Sequence, residues 1–378
     1  MDKINSYFNK LAKKLTFIEL QKNSQVDIKG YLVSSDIPLP IIMESLLKEI
    51  KEGNIQEEIN LANVVEGIIY LLGTDTEFPY INEYKAILKA YNEKINDYIL
   101  YRGLKYFDEM DYDSSAIYYR ALLTLDDRDV NGLFNYALAL EQIANRFLKE
   151  EKSQEATDFL MKSTNNLESI LDIDENYSLA YYKLGFHYKF FQQFLKAKLI
   201  WKKFLVLDKD EIRLQEIREE IEIIDDDVFF ETGLTYLTYN DFGKALDSFL
   251  KLVPKYEKHW NINYFIGLSY KGIEEFNLAI EYFRKAIALN KEEADVYNEL
   301  GIVYFNLEDI VKAIAVFSEG IENCKEDYKL YFNRGLGYVQ LGQYEIALKD
   351  IEKANILNPE DENVSLQKVK IEELLSSI

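Results

Sequence analysis

Four copies of a 34-residue pattern run head to tail through residues 226–361, and that fixed period limits the fold more than any other feature. One copy carries Gly267, Tyr270, Ala279, Phe283 and Ala286. The next carries Gly301, Tyr304, Ala313, Phe317 and Gly320, and the last Gly335, Tyr338, Ala347, Ile351 and Ala354, closed by Pro359. Gly233, Tyr236, Ala245, Phe249 and Leu252 precede them. Small residues at fixed offsets suit the close crossing of two antiparallel helices, where a large side chain would push the pair apart. Aromatics suit the wedge between one pair and the next. A single pair cannot bury its apolar face, so neighbours must stack into one continuous core.

This pattern resembles the tetratricopeptide repeat (TPR) family, with spacing and residue type agreeing several times in one chain. The register extends backwards through Gly185, Tyr188, Ala197 and Trp201, and further to Gly103, Tyr106, Ser115 and Tyr119. Between them a stretched copy has Ala137 and Leu140 in its first helix and Leu167 and Ile170 in its second. Its extra length, around Glu141 to Thr157, reads as about seven more residues on each helix, nearly two full turns, which preserves the buried face. A second excess, Asp210 to Ile224, places Leu214, Ile217, Ile221 and Ile224 at helical spacing and reads as an amphipathic helix. The expectation is an all-α, right-handed superhelical solenoid of about seven helix pairs over 96–361. An N-terminal helical region would fill 1–95, and a capping helix 362–378.

The N-terminal third lacks the period. Ile4, Phe8, Leu11, Leu15 and Ile18 recur at 4-3-4-3 spacing and predict one continuous helix. Gln25 to Ser35 is ambiguous, with β-branched residues and Gly30. The run Ile37-Pro38-Leu39-Pro40 predicts the start of a helix reaching Lys51 and stopping at Gly53. Further helices are expected over Gln56 to Leu72, ended by Gly73, and over Pro79 to Glu93. The region reads either as a degenerate repeat pair with an extension or as a small helical bundle. At the other end, Glu362 to Ile378 reads as a helix with a polar face, of the kind that closes a repeat array.

Charge and residue usage exclude several functions. Asp plus Glu number 66 against 44 Lys plus Arg, a formal charge of -22. Such a surface disfavours phosphate backbones and anionic headgroups, so neither nucleic acid nor membrane is an expected partner. Cys324 is the single cysteine, which rules out an intrachain disulfide. No secretory leader pattern follows Met1 and no apolar run approaches 18 residues, so a cytoplasmic location is expected. Abundant Tyr, Ile, Lys and Asn fit an AT-rich, bacterial source. His187 and His259 stand apart from any second ligand at metal spacing, and the glycines are scattered rather than clustered in a phosphate loop. Asp225-Asp226-Asp227 reads as a solvated helix start. The chain is therefore read as a non-enzyme with no cofactor and no metal.

In the family it resembles, the first helices of the pairs line a concave groove. Carried over by repeat position, that face offers Tyr101, Phe107, Phe134, Asn135, Tyr182, Lys183, Phe186 and Phe190, then Phe230, Glu231, Tyr264, Phe265, Lys271, Asn298, Phe305, Phe332 and Asn333. Aromatic faces bury much area for few rotors, and amides can pair with a peptide backbone. The carboxylate clamp of chaperone adaptors is incomplete here: Asn333 and Arg334 stand alone, and Leu100 and Leu104 occupy the first Lys and Asn positions. The resemblance thus implies a protein- or peptide-binding adaptor or scaffold of unidentified partner. An architectural analogy to the peptide-responsive TPR receptors of Gram-positive quorum sensing is the second reading, and an enzyme subunit the third.

Overall fold

A computed structural model describes residues 3–21, 26–45, 47, 60–324 and 326–376. The chain divides into two compact units, Met1–Arg218 and Glu219–Ile378. Both are built from antiparallel helix pairs, and the fold is an all-α helical repeat.

The first unit opens with α1 (Lys3–Leu11), a short 3-10 turn (Ala12–Lys14) and β1 (Leu15–Ile18). β2 (Val26–Ile28) and β3 (Tyr31–Val33) form a hairpin, and β4 (Leu39–Ile42) pairs antiparallel with β1. Helices follow: α2 (Leu61–Thr74), α3 (Ile81–Tyr91), α4 (Ile95–Asp108), α5 (Tyr112–Leu125), α6 (Val130–Lys149), α7 (Ser153–Ile173), α8 (Ser178–Phe190) and α9 (Phe194–Leu207).

Three sequence expectations fail in this region. The 4-3-4-3 stripe is helical only as far as Leu11. Leu15 turns extended (φ −89°, ψ 145°) and its strand pairs Leu15 with Ile42 and Phe17 with Pro40. Thr16, Phe17 and Ile18 are β-branched or aromatic residues that suit a strand once a partner is present. The partner is the segment expected to begin a helix, where Leu39 to Ile42 is strand instead and helix starts only at Met43. Each strand of a two-stranded sheet is an edge, the setting in which a strand tolerates proline. The expected end at Lys51 and Gly53, and the start at Gln56, lie outside the described residues. Gly73 does not stop α2, which runs on to Thr74. Its role is close approach: a Cβ on Gly73 would stand 2.0 Å from the Ile117 carbonyl oxygen of α5. The ambiguous Gln25–Ser35 stretch contains the β2–β3 hairpin, turned by Lys29 (φ 49°) and Gly30 (φ 91°) as a two-residue turn with both φ positive requires.

α2 is tied to the first repeat by a part-buried polar knot. Glu66 accepts from the hydroxyls of Tyr98 and Tyr118 and, at 3.0 Å, from Arg102 Nη1. The core of this unit accordingly mixes side chains from both sides of residue 95, from Ile4 and Phe8 to Tyr119 and Leu140.

The stretched repeat has the anticipated form. α6 has 20 residues and α7 has 21, against 13 in α8 and 14 in α9. The second excess is α10 (Glu211–Ile223), within which the division between the units falls; its Leu214 and Ile217 are buried.

The second unit continues with α11 (Asp225–Thr238), α12 (Phe242–Leu250), α13 (Val253–Tyr256), α14 (Trp260–Gly272), α15 (Phe276–Leu289), α16 (Ala294–Asn306), α17 (Ile310–Asn323), α18 (Tyr328–Gln340), α19 (Tyr344–Leu357) and α20 (Glu362–Ser376). Ala279, Ala313 and Ala347 are fully buried, as small residues at crossings must be. The repeat glycines let a second-helix ring lie on first-helix backbone: a Cβ on Gly301 would stand 2.2 Å from Phe317 Cε1.

One turn closes every pair. Met110, Glu151, Gln192, Asn240, Glu274, Glu308 and Gly342 all have positive φ, between 57° and 71°. At each, the next N–H reaches back across the turn, as Asp309 N to Tyr304 O (2.9 Å), while Glu308 N bonds Phe305 O (2.9 Å). This is the Schellman closure. Asp309 then caps α17 by accepting from Lys312 N, so one residue both ends the first helix's closure and starts the second helix. Among the described residues seven such turns mark seven helix pairs.

Candidate functional site

The candidate residues come from the first helix of each pair, and the structure places them in two groups, one per unit. In the first unit Tyr101 is the most open, at 63% exposure on α4. Phe107 lies edge-on to Tyr112, and Phe134 edge-on to Tyr177. Asn135 donates to Asn131 O within its own helix (2.8 Å). Tyr182 donates to Glu216 Oε2 (2.8 Å) and meets Phe186 and Phe204; burial and that carboxylate push its phenol up to about 12. Phe186 rests edge-on against Trp201, and Phe190, 45% exposed, against Phe191.

Lys183 is held by Glu141 (3.1 Å), and buried His187 stands 3.7 Å from the other carboxylate oxygen, with Thr164 Oγ1 on its Nδ1 (2.9 Å). Burial opposes the Glu141 charge, but His187 and Lys183 outweigh it and keep the carboxyl below its usual range. The cluster fastens the stretched pair to α8.

In the second unit the aromatics form a connected group of rings and a separate pair. Phe230 lies edge-on to Phe249 and Phe265; Phe265 stacks on Phe249 with ring centres 5.3 Å apart. Tyr264 meets Trp260, Phe265 and Phe283, and Phe305 meets Phe317. Phe332 packs half-buried near Ala347 and Ile351. These first-helix rings therefore share two jobs: one side packs on second-helix rings, the other reaches the surface.

The charged and amide positions are mostly engaged within the unit. Lys271 pairs with Glu299, and Glu231 accepts from Thr235 Oγ1 through its backbone carbonyl (2.8 Å). Asn333 Nδ2 donates to Asn298 Oδ1 (3.1 Å), and Asn298 Nδ2 to Asp327 Oδ1 (3.3 Å), a relay that joins α16 to α18. Arg334 grips Asp350 with two bonds of 2.7 Å.

Among the described cavities, one includes a candidate residue. Phe230 lines a space of about 180 Å³ together with Asp226, Asp227, Tyr256, His259 and Asn261. Asp226 holds Lys255 (2.7 Å) and the Tyr256 hydroxyl (3.2 Å). Sequence reasoning did not connect these residues to Phe230. The signal was Pro254, which occupies the repeat position of Ala288, Glu322 and Ile356. Without an N–H it cannot bond the Leu250 carbonyl, so α12 stops after nine residues and α13 restarts the chain. The Asp225 triplet does begin a helix as expected, yet two of its members share a cavity with Phe230.

Repeated, Schellman-closed helix pairs with glycine and alanine at the crossings define a helical repeat protein. Family models for the tetratricopeptide repeat match residues 264–327 and 328–361. Residues 264–361 are thus tetratricopeptide repeats, within a helical repeat fold. No curated protein sequence matches it. Solved structures similar to it include MamA AMB-1, 20% identical over 51% of this chain and 98% of that one, with a TM-score of 0.36. YrrB, titled a TPR protein with an unusual peptide-binding site, is 17% identical over 67% of this chain and 97% of its own, TM-score 0.27. The first TPR of Spaghetti (RPAP3), bound to an HSP90 peptide, is 20% identical over 31% and 93%, TM-score 0.30. Among the described residues no helix is long and apolar enough to cross a membrane.

Proposed function

We propose that this protein is a non-catalytic adaptor or scaffold that holds a protein or peptide partner against the first-helix faces of its repeats. Tetratricopeptide repeats are in general protein-interaction modules. The observation that carries the reading is a set of half-buried first-helix rings, Phe230, Phe265, Tyr264 and Phe305 in the second unit, each seated on a neighbouring ring yet reaching the surface. Rings fixed on one side lose little entropy when a partner covers the other.

The test compares partner capture by three folded proteins: the wild type, Tyr264→Leu with Phe305→Leu, and Asp247→Asn with Glu322→Gln. Leucine keeps apolar volume against Phe283 and Phe317 while removing the aromatic face. The charge pair alters exposed second-helix positions, and avoids Asp226 and Asp227 because they border Phe230. The leucine pair is expected to weaken binding about tenfold, about 1.4 kcal/mol, and the charge pair to leave it unchanged. Loss of the partner in the charge pair alone would place binding on the outer face and end this reading.

A further inference from the structure

Arg120 of α5 is 6% exposed, yet among the described residues no carboxylate pairs with it. Its guanidinium is held by neutral groups. Nε donates to Gly73 O (2.6 Å), Nη1 to the Tyr136 hydroxyl (3.3 Å) and Nη2 to Asn5 Oδ1 (3.0 Å), with the Phe8 ring 4.5 Å away. A guanidinium has five N–H donors, so one remains on each Nη. A buried charge with no counter-charge is costly, and more so to leave permanently unmatched.

The same side chain lines a cleft of about 300 Å³ in the first unit, bounded also by Asn5, Thr76, Tyr136, Lys162 and Asn166. Lys162 is half-buried and likewise has no ion pair among the described residues. Exposed Asp127 is the one carboxylate on the wall, and it pairs with neither cation. Two uncompensated cations facing one cleft stand out in a chain of formal charge -22. Part-buried cations elsewhere do hold a carboxylate, as Lys183 holds Glu141, Lys271 holds Glu299 and Arg334 holds Asp350.

We infer that this cleft binds the oxyanion group of a small ligand, a phosphate or a carboxylate, between Arg120 and Lys162. Arginine offers paired donors of the geometry such groups accept, and lysine adds a mobile point charge. The volume suits a small molecule rather than a polymer. The two cations lie on second helices, Arg120 on α5 and Lys162 on α7, and of the first-helix residues on the wall, Leu133 and Tyr136, neither is a candidate peptide-binding residue, so the site does not depend on whether those residues hold a peptide.

Titration of inorganic phosphate into the full chain at fixed low salt, followed by calorimetry and phosphorus NMR, tests the site. Saturable single-site binding is expected, weakened about tenfold in Lys162→Met and unchanged in Lys349→Met, an equal charge change on exposed α19 surface. Arg120→Lys should abolish it. If that variant fails to fold, Lys162→Met alone still decides the matter. Acetate titrated in place of phosphate separates the two sources: saturation by either anion, with the same dependence on Lys162, supports the site. If neither anion saturates, or if Lys162→Met binds as the wild type does, Arg120 is a core residue satisfied by neutral acceptors and the inference is wrong.

Discussion

The residue that most reveals the build of this protein is the one at each hairpin turn. Its left-handed backbone is required for the Schellman closure, whichever side chain sits there. Glycine takes that conformation without penalty, but only Gly342 is glycine; Glu274, Glu308, Gln192 and Met110 adopt it with a Cβ. Gly342→Ala is therefore expected to lower stability by about 1 kcal/mol, and Glu308→Gly to raise it by up to about 1 kcal/mol. Chemical denaturation of both variants checks this. Equal and opposite signs at two turns of the same geometry are the signature; a destabilising Glu308→Gly would mean that the side chain contributes something the turn geometry does not explain.

At the scale of elements, helix length and helix ends carry the variation. The extra residues of α6 and α7 come in equal portions, so the buried stripe stays in phase and the pair packs as an ordinary repeat made longer. A single proline in the α12 register has the opposite effect, ending a helix early and leaving a cavity beside Phe230. At the far end, α20 buries Val364 and Ile371 in one cluster with Ala347, Ile351 and Ala354. Removing 362–378 would uncover those side chains, and the truncated chain is expected to self-associate. Sedimentation velocity of the truncated chain beside the full one reads this out. A truncated protein that stays monomeric at the same concentration would show that α20 does not act as a cap.

For the molecule as a whole, contacts within two units make unfolding a question of how many steps it takes. Each unit holds one tryptophan: Trp201, buried with its indole N–H on Tyr182 O (3.2 Å), and half-buried Trp260. Trp260→Phe leaves a probe of the first unit and Trp201→Phe a probe of the second. Repeat proteins gain stability from neighbours rather than from one global core, so the two fluorescence transitions are expected to have different urea midpoints. Midpoints that coincide, each corrected with the helical signal of its own variant, would show that the two units unfold as one.

By itself the sequence determined the repeat. A 34-residue spacing of glycine, aromatic and small residues is a local and periodic requirement, repeated until chance is excluded, and it specified the helix pairs, their number and the two insertions. The N-terminal strands escaped because Leu15–Ile18 and Leu39–Ile42 are ambiguous alone; each becomes a strand only by hydrogen bonding to the other. Gly73 escaped for a related reason. A helix-ending glycine and a glycine beneath a crossing backbone look alike until α5 arrives. The candidate face was legible as a set of positions, since helix period assigns sides. What those side chains do there was decided by tertiary packing. Asn298 and Asn333, which look in sequence like hydrogen-bonding groups for a ligand, bond each other across two helices. The cleft around Arg120 was beyond sequence altogether, because Asn5, Arg120 and Lys162 belong to three different elements and share no period.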